Sequence, residues 1–164
     1  MSSTDDLLAN NADYAASFDK KGLAAPPRKK VAILACMDAR LDPAKALGLD
    51  EGDAHVIRNA GGVATDDALR SLVISQRLLG TEEIILVHHT KCGMESFHDD
   101  DVKEQIRQET GMRPSFALEA FPTAEEDVRQ TAARIAASPF VPRKNVRGFV
   151  YDVDSGLLRE VTLG

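Results

Sequence analysis

Val31-Ala32-Ile33-Leu34-Ala35-Cys36-Met37-Asp38-Ala39-Arg40 decides how this chain is read. An apolar run the length of a buried strand stops abruptly at a thiol, a carboxylate and a guanidinium. Further on, Ile84-Ile85-Leu86-Val87-His88-His89-Thr90-Lys91-Cys92-Gly93 has the same plan and ends in imidazole and thiol. The chain's two cysteines thus stand just past its two clearest apolar runs. Unbroken aliphatic runs of this length suit strands covered on both faces, as in a parallel sheet between helices.

Working outward, residues 30–36 are strand one, and Asp42-Pro43 opens a short helical turn to Leu47, with proline suited to a first turn. His55-Val56-Ile57-Arg58 is strand two, and the following Asn59-Ala60-Gly61-Gly62 asks for positive φ or a close backbone approach. Thr65-Asp66-Asp67 caps a helix with Leu69, Leu72, Val73, Gln76 and Leu79 on its inner face and Gly80 at its end. Residues 84–87 are strand three. A polar helix over 99–110 stops at Gly111, and residues 112–122 form an ordered loop. Thr123-Ala124-Glu125-Glu126 reads as a capping box for a helix ending before Pro139. Val146 to Tyr151 is strand four, and Leu157 to Val161 returns antiparallel at the edge after the Asp154-Ser155-Gly156 turn.

Alternating strands and helices predict one α/β domain over residues 1–164. Its mostly parallel central sheet has about four strands plus an antiparallel edge strand, flanked by helices. Residues 1–22 form an N-terminal helical arm, with Leu7, Leu8, Tyr14 and Phe18 on one side. The connector through Gly22, Pro26 and Pro27 sets that arm apart, suited to packing on a neighbouring subunit. In a parallel sheet ligands bind beyond the carboxyl ends of the strands, where the strand order reverses. If strands one and three are neighbours, residues 36–40 and 88–93 share that cleft.

A chain of 164 residues with 43% hydrophobic and 28% charged residues buries an ordinary core without staples. Net charge is −6, without a basic cluster beyond Arg28-Lys29-Lys30, which argues against nucleic acid as a partner. No run approaches the roughly 18 apolar residues of a membrane span, and the start lacks a secretory pattern. A cytoplasmic location follows, where thiols serve metal binding or catalysis more than disulfides.

Two thiolates and an imidazole suit tetrahedral zinc. His89-x-x-Cys92 presents both groups from one turn, while Cys36 arrives from the other strand. Three such ligands leave a fourth position open, the pattern of a catalytic site. The plainer readings are buried cysteines acting as small hydrophobes, and an Asp38–Arg40 loop ion pair. His88 and His89 face opposite ways in an extended chain, so spacing makes His89 the ligand and His88 a packed or hydrogen-bonded neighbour. His55 and His98 lack partners at ligand spacing, and Asp99-Asp100-Asp101 reads as an acidic first helical turn.

Cys36-x-Asp38-x-Arg40 followed by His89-x-x-Cys92 resembles the paired signature of the β-class carbonic anhydrases. Arg58-Asn59-Ala60-Gly61-Gly62 and Gly93-Met94 match further segments of that family, and the length resembles its compact prokaryotic members. The resemblance implies Zn²⁺ on Cys36, His89 and Cys92, with Asp38 and Arg40 as a catalytic dyad. It also implies interconversion of carbon dioxide and bicarbonate, and assembly as a homodimer or larger homo-oligomer. Gly61 and Gly62 are expected to let backbone groups approach the substrate. Two thiolates on the ion imply activity favouring mildly alkaline pH. The alternatives are hydrolysis of carbonyl sulfide or carbon disulfide on the same zinc site, and a non-catalytic zinc-binding module.

Overall fold

The computed structural model describes residues 2–164. Its central sheet has five strands: β1 (Val31–Cys36), β2 (Ala54–Asn59), β3 (Glu83–His89), β4 (Asn145–Tyr151) and β5 (Leu158–Val161). They lie in the order β2-β1-β3-β4-β5, with only the β4–β5 pair antiparallel. The helices are α1 (Ser3–Ala16), α2 (Pro43–Leu47), α3 (Asp66–Arg77), α4 (Asp99–Thr110) and α5 (Ala124–Ala137). The α/β class, the parallel core and the antiparallel edge strand agree with the sequence reading. The arm expected over residues 1–22 is represented by α1 and its connector; Met1 lies outside the described residues.

The strand order follows from burial. β1 is buried from Ala32 to Cys36 and sits between β2 and β3. Each fully buried Leu or Ile there contributes about 1.5–3 kcal/mol. β2 alternates half-buried with exposed residues, as an edge strand with one wet side must. One layer packs Leu34, Leu72, Leu86, Val128 and Ile135 between the sheet and helices α3 and α5. A second, around Ile33, Leu41, Val63, Val87, Met94 and Phe121, covers the opposite face and runs up to both cysteines. The order of strand addition across the sheet reverses between β1, which leads outward to β2, and β3, which leads to β4. The carboxyl ends of β1 and β3 therefore flank the switch point.

Local chemistry sets the helix limits. Ser2 and Asp5 cap α1 reciprocally, yet α1 buries none of its residues. Asp42 accepts from the amides of Ala44 and Lys45 to start α2. Gly111, at φ 79°, ends α4 at the expected place. The Thr123 hydroxyl accepts from the Glu126 amide to start α5, the forward half of the expected capping box. Helix α3 ends at Arg77, and Gly80 serves the turn beyond it with φ 76°. In β3 the backbone pairing runs two residues past the apolar run, His88 opposite Val150 and His89 opposite Tyr151.

Candidate metal centre and its carboxylate–guanidinium pair

Cys36 is the last residue of β1 and His89 the last of β3, and both are buried. The chain then turns through Lys91, held at φ 55°, so that Cys92 comes back beside them. The ligand atoms of Cys36, His89 and Cys92 all lie within 4.8 Å of one another, and the two sulfurs are 4.0 Å apart. A tetrahedral zinc with bonds of about 2.3 Å to sulfur sets two thiolates about 3.8 Å apart, so the spacing fits the ion. The histidine fits as well. His89 Nδ1 donates to the Thr90 carbonyl at 2.9 Å, which fixes the tautomer and leaves the Nε2 lone pair directed inward. That buried Nε2 has no hydrogen-bond partner among the described residues, an orphan a metal would satisfy.

Held this close, the two thiols are in electrostatic conflict. A hydrogen bond from Cys92 pulls the Cys36 thiol well below its ordinary value, against burial and with help from His89 and the amides of Asp38 and Gly61. The hydrogen bond to Cys36, then burial, push the Cys92 thiol up. The two sulfurs behave as one site that gives up its first proton easily and its second with difficulty. A divalent cation removes the conflict, because both thiolates then face positive charge. Burial pulls the His89 imidazole down, but contact with the Cys36 sulfur and the Thr90 carbonyl leaves it raised overall.

At the rim, Arg40 grips Asp38 with two side-chain bonds, Nε to Oδ1 at 2.9 Å and Nη2 to Oδ2 at 2.8 Å. The Arg40 amide adds a third at 2.9 Å. The Arg40 guanidinium, ahead of every other influence, holds the Asp38 carboxyl well below the usual carboxylate range. Asp38 Oδ2 is 3.7 Å from His89 Nε2, so the carboxylate stands at the edge of the ligand cluster. Arg40 also donates to the Lys91 carbonyl at 3.0 Å, tying the loop after β1 to the loop after β3.

The glycines shape the floor. Gly61 turns its amide to the Cys36 sulfur, and a Cβ on it would stand 2.9 Å from Phe121 and 3.0 Å from Val63. Gly62 lies against β1, where a Cβ would meet the Cys36 nitrogen at 2.9 Å. Both have positive φ, 85° and 74°, as the paired glycines required.

Several other polar residues have structural partners. His88 is fully buried and Nε2 donates to Asp127 of α5 at 2.6 Å, so it is the hydrogen-bonded neighbour expected from spacing. His55 pairs with Ser75, and Asp99 accepts from the amides of Leu118, Glu119 and Ala120, pinning the 112–122 loop. Sequence reasoning gave no sign of Asp127, a partner 39 residues away. It also missed the backbone amides aimed at sulfur, including that of Met94 at Cys92. Neither carries a signal in side-chain identity or spacing. Size does not mark the centre either: a groove of about 790 Å³ between the start of α3 and Phe116, Arg134 and Phe140 contains none of the ligands.

Residues 31–158 match the family profile described as carbonic anhydrase. "Beta-carbonic anhydrase 1" of Mycobacterium tuberculosis is 61% identical over 163 residues, covering 99% of both chains. A "carbon disulfide hydrolase" of Acidithiobacillus thiooxidans is 34% identical over 161 residues, covering 85% of this chain and 81% of the relative. Among solved structures, the carbonic anhydrase of Streptococcus mutans superposes with a TM-score of 0.93 at 42% identity, covering 99% of each chain. Matched across nearly its whole length, and carrying the paired cysteine and histidine motifs at the carboxyl ends of neighbouring strands, this chain belongs to the β-class carbonic anhydrase family of enzymes.

Proposed function

We propose that this chain holds one zinc ion through Cys36, His89 and Cys92 and reversibly hydrates carbon dioxide to bicarbonate and a proton. The observation that carries this reading is the Asp38–Arg40 pair at the open edge of a three-ligand cluster. A closed structural site spends that position on a fourth sulfur or nitrogen. When bound, zinc supplies the Lewis acidity that ionises a water near neutral pH. Asp38, kept ionised by Arg40, accepts the hydrogen bond of the attacking oxygen and turns its lone pair toward the carbon. The Arg40 fork fixes both carboxylate oxygens, so Asp38 cannot rotate away. Val63, Met94 and Phe121, gathered around Gly61, form an apolar wall suited to a small uncharged substrate. Gly61 and Gly62 are the floor on which that substrate rests. The paired thiolates offset the ion's charge, which places the favoured range on the mildly alkaline side.

Metal analysis with stopped-flow hydration tests the proposal. One zinc per chain and a hydration rate that collapses on chelation are expected; a zinc-replete protein with no hydration activity overturns it. The similarity to proteins named carbon disulfide hydrolase favours a second reading, hydrolysis of carbon disulfide or carbonyl sulfide on the same ligands. Comparing kcat/KM on the three substrates separates the two. Absence of turnover on all of them would leave only a zinc-binding module.

The proposal extends to assembly and location. A homodimer or higher homo-oligomer is supported by α1, which exposes Leu7, Leu8 and Tyr14 and buries nothing within its own chain. We place the protein in the cytoplasm on its two free thiols, which a reducing compartment preserves. No described helix is long and apolar enough to cross a membrane.

A further inference from the structure

Arg58 is the penultimate residue of β2, opposite Ala35 in the parallel β1–β2 pair. An arginine on an edge strand commonly reaches into solvent or to a carboxylate. This one, though exposed, turns back over the end of β1 and collects backbone carbonyls. Nε donates to the Cys36 carbonyl at 3.0 Å. Nη2 stands 2.8 Å from the Cys36 carbonyl, 2.9 Å from that of Asp38 and 2.7 Å from that of Leu41. With two hydrogens for three acceptors, Nη2 shares at least one of them. Three carbonyls of the 36–41 segment therefore converge on one cation, with charge-assisted bonds stronger than neutral ones.

The segment so gathered carries the first metal ligand, the Asp38 carboxylate and Arg40. It has little regular structure to hold it: the Met37 amide donates to the Asn59 carbonyl at 2.9 Å, and the Leu41 amide to the Asp38 carbonyl at 3.1 Å. Arg40 grips the Asp38 side chain, but both belong to the same loop, so that pair could move as a unit. The Arg40 bond to the Lys91 carbonyl links it outward on that side. Arg58 fixes the backbone beneath the pair to the rigid sheet.

We infer that Arg58 is a positioning residue, whose guanidinium gathers the carbonyls of Cys36, Asp38 and Leu41 and so aims the Asp38 carboxylate at the metal edge. The inference rests on the proposed role of Asp38 for its kinetic half and on geometry alone for its structural half. A displacement of about 1 Å at a reacting group costs on the order of a hundredfold in rate, which sets the scale of the effect.

The test is a double-mutant cycle on the full-length, zinc-loaded chain. Arg58→Ala is expected to keep about one zinc per chain, lose roughly tenfold to a hundredfold in kcat, and change KM by less than about threefold. In an Asp38→Ala background the same change should cost less than about twofold, because the residue it aims is already gone. Hydrogen exchange should quicken in residues 37–41 while β3 and β4 keep their protection. Millimolar guanidinium should restore part of the lost rate. Losses that multiply in full across the cycle, or unchanged exchange in 37–41, overturn the inference. If Arg58→Ala does not fold, Arg58→Lys replaces it. Its ammonium stops one bond short of Nη2, so at least about a fivefold loss in kcat is expected. A fully active Arg58→Lys protein refutes the clamp. If the wild-type chain hydrates no carbon dioxide, the functional reading falls, and the exchange measurement still decides whether Arg58 holds the loop.

Discussion

Asp38 and His89 meet at a distance of 3.7 Å, and the division of labour between them sets the expected acid response. Asp38 has its pKa lowered by Arg40, so its contribution is present above the ordinary carboxylate range and fades only as pH falls below it. The metal ligands compete with protons at higher pH, because thiolates and imidazole must be deprotonated to bind. Activity should therefore fall first where the water ionised by the metal regains its proton, with zinc still bound. Zinc release, monitored with a chromophoric chelator, should follow only at lower pH. An acid limb that instead coincides with zinc release would contradict this. Asp38→Ala should retain zinc through its three protein ligands and lose about a hundredfold or more in hydration rate. Near-normal hydration by that variant would remove the carboxylate from the mechanism. Gly62 is a second single-residue test. Alanine there requires φ of 74° and a contact of 2.9 Å with the Cys36 backbone nitrogen. Gly62→Ala should weaken zinc binding in a chelator competition and lower stability by about 1–3 kcal/mol.

At the scale of elements, the end of β3 is fastened on both sides of the sheet. His89 faces the ligand cluster, while His88 faces α5 and donates to Asp127, with Thr131 adding a long contact at 3.5 Å. Leaving one partner of such a buried hydrogen-bonded pair unsatisfied typically costs about 1–3 kcal/mol. Asp127→Ala should therefore lower the thermal midpoint sharply in a calorimetric scan, and a change of only a degree or two would show the pair is dispensable. His88→Ala should be destabilised yet keep zinc, whereas His89→Ala should lose the metal. The sequence made β1 and β3 easy to see because burial on both faces leaves continuous apolar runs. It trimmed β2 to 55–58 against Ala54–Asn59, because an edge strand keeps polar residues on its wet side. His88 and His89 belong to β3 through pairing with β4, a long-range fact invisible to local pattern. The clustering of Cys36, His89 and Cys92 was legible because strand ends and short spacings are local. The Arg58 clamp and the His88–Asp127 pair were not, since each joins segments far apart in the chain.

At the scale of the molecule, the sheet and its two packed layers account for the core, and α1 adds nothing to it. α1 meets the body through Tyr14, whose hydroxyl donates to Glu51 at 3.0 Å, a contact at the exposed surface. Deleting residues 1–22 should leave the unfolding midpoint of a dilute protomer within a few degrees. The same deletion should shift sedimentation toward smaller species if α1 covers a neighbouring copy. A wild-type monomer at micromolar concentration, or unchanged assembly after the deletion, would refute the proposed role of the arm.

The nearness of Cys36 and Cys92 also governs how the protein ages on the shelf. Two sulfurs 4.0 Å apart, one of them readily ionised, are a short step from a covalent bond once dissolved oxygen can draw off their electrons. A resident cation occupies both lone pairs and shields them. Stocks stripped by chelator and stored in air should lose both titratable thiols and gain a mass deficit of two hydrogens, then refuse zinc until a reductant is added. Zinc-loaded stocks kept alongside should retain both thiols, which makes metal content at purification the best guide to how long a preparation stays usable.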